Sequence, residues 1–304
     1  MKSRTGMKNN LWLIYAIVTT ITWGIWGALI EIPEKAGFPA TLGYTMWALT
    51  MIPCALIALK LIKFKLEYNI ESVFYGTLIG LTGAGGQLIL FEALREGPAY
   101  IIFPIVSLYP VVTIILSVSI LKETANRRSW IGIILALVAI FLLSYMKPEK
   151  LDVKGYLWLG LSVLVFVMWG VQGFFMKVAN NKMSAESIFT YMALSGILLI
   201  PFALMMTDFN QSINWGFKGP YLAAMIQVLN AAGALTLVYA MRYGKAIVVS
   251  PMTSLSPIIT IVLSLLIYAV MPNPAMMIGF LPPIVTSPSV IIVGCGCVSR
   301  LTNL

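Results

Sequence analysis

Histidine is absent from the 304 residues. Its absence excludes Ser-His-Asp and Cys-His catalysis, HExxH zinc sites and haem held by histidine. Cysteine is scarce, with only Cys54, Cys295 and Cys297. The C-x-C pair has no further Cys or His beside it and Cys54 falls inside an apolar run, so all three read as reduced thiols. Neither GxxxxGK[ST] nor GxGxxG occurs, so no phosphate cradle is written in the chain. No metal and no cofactor are expected. Charge is scarce as well: 10% of the residues are charged and 60% hydrophobic, where an average soluble domain carries about 25% and 45–50%. A soluble enzyme, a nucleic-acid-binding domain and a disulfide scaffold are all excluded on that ground.

What is present is apolar length. A bilayer-spanning helix needs about 20 apolar residues. Segments of that kind fall at 11–32, 40–62, 73–94, 98–121 and 129–146. After the charged break at 147–154 come 155–178, 186–206, 219–241, 246–270 and 275–294. They are apolar all round, which fits helices and not the alternating strands of a barrel. The basic start before Leu11 runs into apolar sequence without a small-residue cleavage site, so 11–32 reads as a first span and not a signal peptide.

Charge placement orients the spans. With the N-terminus in the cytoplasm and ten alternating helices, 14 Lys and Arg fall on the cytoplasmic side and six outside. That is the sign of the positive-inside rule, and it turns the net charge of +9 into an orientation signal. Nucleic acid is not expected as a partner; the lipid bilayer and a small-molecule substrate are.

The chain also repeats itself. Displaced by 147, residues 91–117 lie over 238–264 without a gap and match at 12 of 27 positions, among them Arg95/Arg242, Gly97/Gly244, Pro104/Pro251 and Pro110/Pro257. Trp23-Gly24 meets Trp169-Gly170 at a displacement of 146. Five helices per copy is an odd number, so the second copy enters the membrane from the opposite side. The expected fold is an all-α polytopic membrane protein of ten helices in two inverted repeats, residues 10–147 and 155–294. Inverted repeats are the architecture of many secondary transporters.

The landmarks are the paired Trp-Gly, the small-residue third helix ending Ala93-Leu-Arg-Glu-Gly-Pro-Ala99 and its echo Ala240-Met-Arg-Tyr-Gly-Lys-Ala246, the Pro-x5-Pro-x-x-Thr helices, and Lys122-Glu123 before Trp130. On these residues the chain resembles the drug/metabolite transporter superfamily, specifically its EamA-domain pair. The resemblance implies secondary transport of a small metabolite or drug-like solute by alternating access in the cell membrane, peripheral fifth and tenth helices, and a homodimer contact on them. It does not imply an enzyme. An intramembrane enzyme or lipid-handling protein is the alternative. Two features depart from the family: Val270 stands where an acidic residue would match Glu123, and Pro282, Pro283 and Pro288 interrupt the tenth segment. Interior prolines cost about 3 kcal/mol or more each in a helix, so the tail after Phe280 reads as non-ancestral, a shifted frame.

Candidate substrate-binding residues are Trp23, Tyr44, Gln87, Glu92, Trp169, Gln172, Tyr191 and Asn230. Mid-helix Trp23 and Trp169 serve either as packing or as aromatic walls of a central cavity. Glu92 sits three residues before Arg95, so the two either pair on one helical face or Glu92 couples protons or ligand. Gln87, Gln172, Gln227 and Asn230 either bridge helices or face the solute. Glu31 and Lys177 are expected to snorkel to the headgroups. Pro104, Pro110, Pro251 and Pro257 are expected to kink the fourth and ninth helices.

Overall fold

The computed structural model describes residues 3–97, 99–144 and 155–268, and every regular element among them is helical. The first half consists of α1 (Ser3–Leu29), the short α2 (Glu31–Lys35), α3 (Ala40–Leu61), α4 (Ile70–Glu96), α5 (Ala99–Ser107), α6 (Pro110–Ser119) and α7 (Arg127–Ser144). The second consists of α8 (Leu157–Asn180), α9 (Ala185–Leu198), α10 (Ile200–Met205), a π turn at Phe217–Tyr221, α11 (Leu222–Tyr243), α12 (Ala246–Thr253) and α13 (Ser256–Tyr268). Starts are set by caps: the side chains of Asn69, Asn126 and Ser184 accept from the backbone N–H groups of Ser72 (2.8 Å), Ser129 (2.8 Å) and Ser187 (3.3 Å), using donors the first turn leaves without partners.

Eight of the expected spans are long and apolar enough to cross a membrane among the described residues. The expected fifth span corresponds to α7, which is 18 residues long. The expected tenth, 275–294, lies outside the described residues, as does the tail after Phe280. The outer faces are apolar. Leu49, Ile52, Leu56 and Ile57 on α3, and Ile131, Ile134, Val138 and Phe141 on α7, are all exposed at helical spacing. Apolar surface on that scale calls for a lipid or protein covering. The interior is packed from small and flexible residues, with Ala16, Ala58, Ala231 and Ala240 fully buried beside Met51, Met176 and Phe189.

The expected proline kinks appear as breaks. α5 gives way to α6 at Leu108–Tyr109, immediately before Pro110, and α12 gives way to α13 at Ser254–Leu255, two residues before Pro257. Pro110 has no N–H to offer the carbonyl of Val106, which accepts from Tyr109 N instead at 3.0 Å. The turn tightens there. Pro104 and Pro251 lie within α5 and α12.

The two halves pack as mates. α1 lies antiparallel along α11, since Thr19, Trp23 and Trp26 bond in turn to Thr236, Asn230 and Gln227. α4 lies against α8 in the same sense: Gly83, Gly86 and Gly97 face Gln172, Trp169 and Trp158. Displacement by 146 for α1 onto α8 and by 147 for α4 onto α11 carries one interface onto the other. Loops gather at two ends. At one, Asn214 bonds to Gly37 O (3.0 Å) and Ala36 O (2.9 Å). At the other, Ser184 N donates to Glu67 (3.0 Å), Lys182 pairs with Glu71 and Lys245 donates to Thr124 O (2.7 Å). These are called below the Gly37 end and the Lys182 end. The loop at 34–39 and its mate at 181–184 fall at opposite ends.

Candidate functional site

Between the halves lies a cavity of about 420 Å³, within the range of small-molecule sites. Of the residues expected at a site, Trp23, Tyr44, Gln87, Trp169, Gln172 and Asn230 line it, and so does Pro257. Glu92 and Tyr191 are not brought to it. Glu92 accepts from Arg95 (2.9 Å) on the exposed last turn of α4, because spacing of three residues puts both on one face. Tyr191 lies over Gly76, whose missing Cβ makes room for its ring, and donates its hydroxyl to Glu67 O (2.8 Å). Pro104, Pro110 and Pro251 shape the helices without joining the lining.

The lining is built by two symmetric sets of hydrogen bonds. Trp23 Nε1 donates to Asn230 O and Trp169 Nε1 donates to Gly83 O, each at 3.2 Å. Thr260 Oγ1 donates to Gly24 O and Thr113 Oγ1 to Gly170 O, each at 2.9 Å. Donor and acceptor in each pair are mates under the repeat. Glycine is required under both indoles: a Cβ on Gly86 or Gly233 would come within 2.5 Å of the facing Nε1. The repeat seen in the sequence is therefore a repeat of contacts.

Other lining residues were not anticipated from the sequence. Trp26 lies one turn beyond Trp23, and its Nε1 donates to Gln227 Oε1 at 3.0 Å. Trp47 lies one turn beyond Tyr44 and meets it edge to face at 5.2 Å. Tyr109, in the break before Pro110, bonds through its hydroxyl to Ser254 Oγ (2.8 Å), in the break before Pro257. Helical spacing from Trp23 and Tyr44 was the available signal for the first two. The third depends on two helix breaks meeting across the halves, which no local pattern announces.

The chemistry of the lining is aromatic and amide-bearing. Glu34, exposed toward the Gly37 end, is the one carboxylate among the described lining residues, and no Lys or Arg joins it. An ion taken deep into such a site loses several kcal/mol of hydration, while an aromatic face returns about 2 kcal/mol to a desolvated cation and nothing to an anion. Uncharged groups are favoured.

The two ends of the cavity differ. At the Lys182 end α8 is tied to α11: Lys177 Nζ donates to Met241 O (3.0 Å) and Gly244 O (2.6 Å), and Asn180 Nδ2 donates to Val238 O (3.1 Å). Arg242 crosses to Met183 O at 3.1 Å. Lys177 thus does not snorkel to headgroups; the unpaired carbonyls that close α11 hold it inside. At the Gly37 end the mates stay on their own helices. Glu31 pairs with Lys35 (2.6 Å), Arg95 pairs with Glu92 and the cavity separates α1 from α4. Glu123 braces the closed end. Its carboxylate accepts from Ala246 N (3.2 Å) and Ile247 N (3.1 Å) at the start of α12.

Apolar helices of spanning length, an apolar outer surface and a central cavity between two like halves define a multi-pass membrane transport protein. The EamA-like transporter family matches residues 10–145 and again 153–287, and the chain belongs to it. An uncharacterised protein of Methanocaldococcus jannaschii is 35% identical over 94 residues, 31% of this chain and 68% of that one. A crystal structure superposes with a TM-score of 0.74 over 92% of this chain and 98% of its own, at 14% identity. At that identity the likeness concerns the fold alone.

Proposed function

We propose that the protein carries a small organic solute across the cell membrane by alternating access, with ten helices in two inverted repeats and the N-terminus in the cytoplasm. The observation that carries the reading is the difference between the mates. The pair α8–α11 is tied at the Lys182 end while its mate, α1–α4, is parted at the Gly37 end, with the cavity leading from the tied end toward Glu34. Two-fold mates in unlike states are what exchange of access between two inverted halves requires. In the other state α1 and α4 close, and Arg95 turns from Glu92 to the Ala36–Gly37 loop as Arg242 now binds Met183. The segments that meet at the Lys182 end carry Lys60, Lys63, Lys65, Lys122, Arg127 and Arg128, which supports reading it as the cytoplasmic end. The bound solute is held by Trp23, Trp169, Gln87 and Gln172.

Reconstitution into liposomes with a panel of metabolites tests this. A carrier gives uptake that saturates and counter-exchanges with solute loaded inside. Flux that rises linearly with concentration, without exchange, refutes it.

A further inference from the structure

Four carboxamides stand in or beside the cavity, and they are not equivalent. Gln227 is spent on the wall: its Nε2 donates to Gly43 O (3.1 Å), and its Oε1 accepts from Trp26 and, at 3.4 Å, from Asn230 Nδ2. Gln87 and Gln172 make no side-chain hydrogen bond to any described residue, yet both line the cavity at the depth of spanning helices. A carboxamide without a partner at that depth is costly unless cavity water or a solute satisfies it. The Gln172 amide faces Gly83, and Gln87 is one turn further along the same helix, an axial rise of about 6 Å at 1.5 Å per residue.

Most of the other polar groups nearby are occupied, while Trp47 Nε1 and Ser250 Oγ, also in the lining, bond to no described residue. The indole N–H groups of Trp23, Trp26 and Trp169 all bond within the wall, and the Tyr109 hydroxyl bonds to Ser254. These rings therefore contribute apolar surface and no free N–H donor. Beside these two atoms, what remains for a solute is a pair of amides, each able to donate and accept, set among aromatic rings with no basic residue among the described lining residues.

We propose that Gln87 and Gln172 read a flat, uncharged solute through a donor–acceptor edge of the carboxamide or nucleobase kind, with its ring against the indoles. The inference rests on the carrier reading and names the substrate class of the same cavity. Two amides match such an edge in pairs. A carboxylate would meet no cation, and a fixed positive charge would surrender more hydration than the rings return.

Three molecules with one ring isolate charge: nicotinamide, nicotinate and 1-methylnicotinamide. Quenching of indole fluorescence in the full-length solubilised protein reads binding, and counterflow in liposomes reads transport. Nicotinamide is expected to bind at least tenfold more tightly than either ion. Gln87→Leu and Gln172→Leu are each expected to weaken it about tenfold, or about 1.4 kcal/mol, with no fall in thermal midpoint, since neither amide holds the fold. The proposal is overturned if either ion binds as tightly, if the leucine variants bind nicotinamide like the parent, or if none of the three binds at millimolar concentration. Glutamine-dependent nicotinamide binding without saturable flux keeps this site and sinks the carrier. Saturable nicotinate flux undiminished in both variants keeps the carrier and sinks this site.

Discussion

Lys177 is the place where the closed end is most open to a quantitative test. Its ammonium donates to two carbonyls of the last turn of α11, Met241 O and Gly244 O. Hydrogen bonds from a charged donor contribute about 1.5–3 kcal/mol each, and a cation at a helix C-terminus adds about 0.3–1 kcal/mol. Against this stand the hydration lost by a partly buried ammonium and about 2 kcal/mol for holding a long side chain. The balance is about 2 kcal/mol in favour of closure. Removing it shifts the equilibrium toward opening at the Lys182 end by about 30-fold, at roughly 1.4 kcal/mol per factor of ten.

Lys177→Met preserves the stem and removes the charge, so it isolates that balance. Ser250 supplies the reporter: it is buried, lines the cavity and lies one turn into α12 from the Lys182 end. Ser250→Cys is introduced with Cys54, Cys295 and Cys297 replaced by serine, and a membrane-impermeant maleimide is presented from the Lys182 side. Labelling is expected to accelerate about 30-fold in the methionine variant and to stay near the parent in Lys177→Arg, which can still donate to both carbonyls. An unchanged rate in a folded Lys177→Met protein refutes the latch. Arg95→Gln probes the mate: it is expected to favour access at the Gly37 end, read as slower counterflow and faster labelling of Phe91→Cys from that side.

Further tests address the frame around the cavity. Glu123→Ala strips the carboxylate from two N–H groups of α12 and is expected to cost about 0.5–2 kcal/mol, seen as a lower thermal midpoint that Glu123→Gln partly restores. Trp23→Phe and Trp169→Phe each free one backbone carbonyl inside a span and are expected to cost about 1 kcal/mol apiece; a cost confined to one of them refutes the equivalence of the two halves. Gly80→Ala would drive a Cβ into Ser195 and against Tyr191 O, a cost of about 1–3 kcal/mol. Gly160→Ala meets nothing within 4 Å and is expected to stabilise α8 by about 0.5–1 kcal/mol.

The fold was legible because its signals are one-dimensional. Apolar length gives the spans, and the matched Arg95/Arg242 and Pro110/Pro257 give the repeat. The mated bonds of Trp23 and Trp169 then follow, since equal sequence at equal positions makes equal contacts. The site was legible only in part, because lining a cavity is a property of neighbouring helices. Tyr44 and Tyr191 are mates in sequence, yet Tyr44 lines the cavity and bonds to Gly196 O (3.1 Å), while Tyr191 lies over Gly76 and binds Glu67 O. Gly76 has Ala223 as its mate. The divergence therefore sits in what each tyrosine meets, which its own local sequence does not contain.

The two halves share some of their contacts and not others. Bonds that shape the cavity are duplicated: Trp to carbonyl, Thr to carbonyl, glycine under indole. Bonds that close its ends are not. Lys177, Asn180 and Glu186 reach α11 at the Lys182 end, where their mates at the Gly37 end are Glu31, Glu34 and Pro39. A carboxylate cannot donate to a helix's terminal carbonyls as Lys177 does. Glu31 therefore cannot form the mirror of the Lys177 latch, and the proposed closure of α1 on α4 is expected to rely on Arg95 as the donor. On the proposed alternating-access reading, the two closed states are expected to differ in strength, with the lysine-latched closure the more stable. An excess of molecules open at the Gly37 end is the expected resting distribution, measurable as faster labelling of Phe91→Cys than of Ser250→Cys, each from its own side and corrected for reactivity in the unfolded chain. Equal corrected rates would mean that the ends are equally held, and that Lys177 adds nothing beyond what Arg95 supplies.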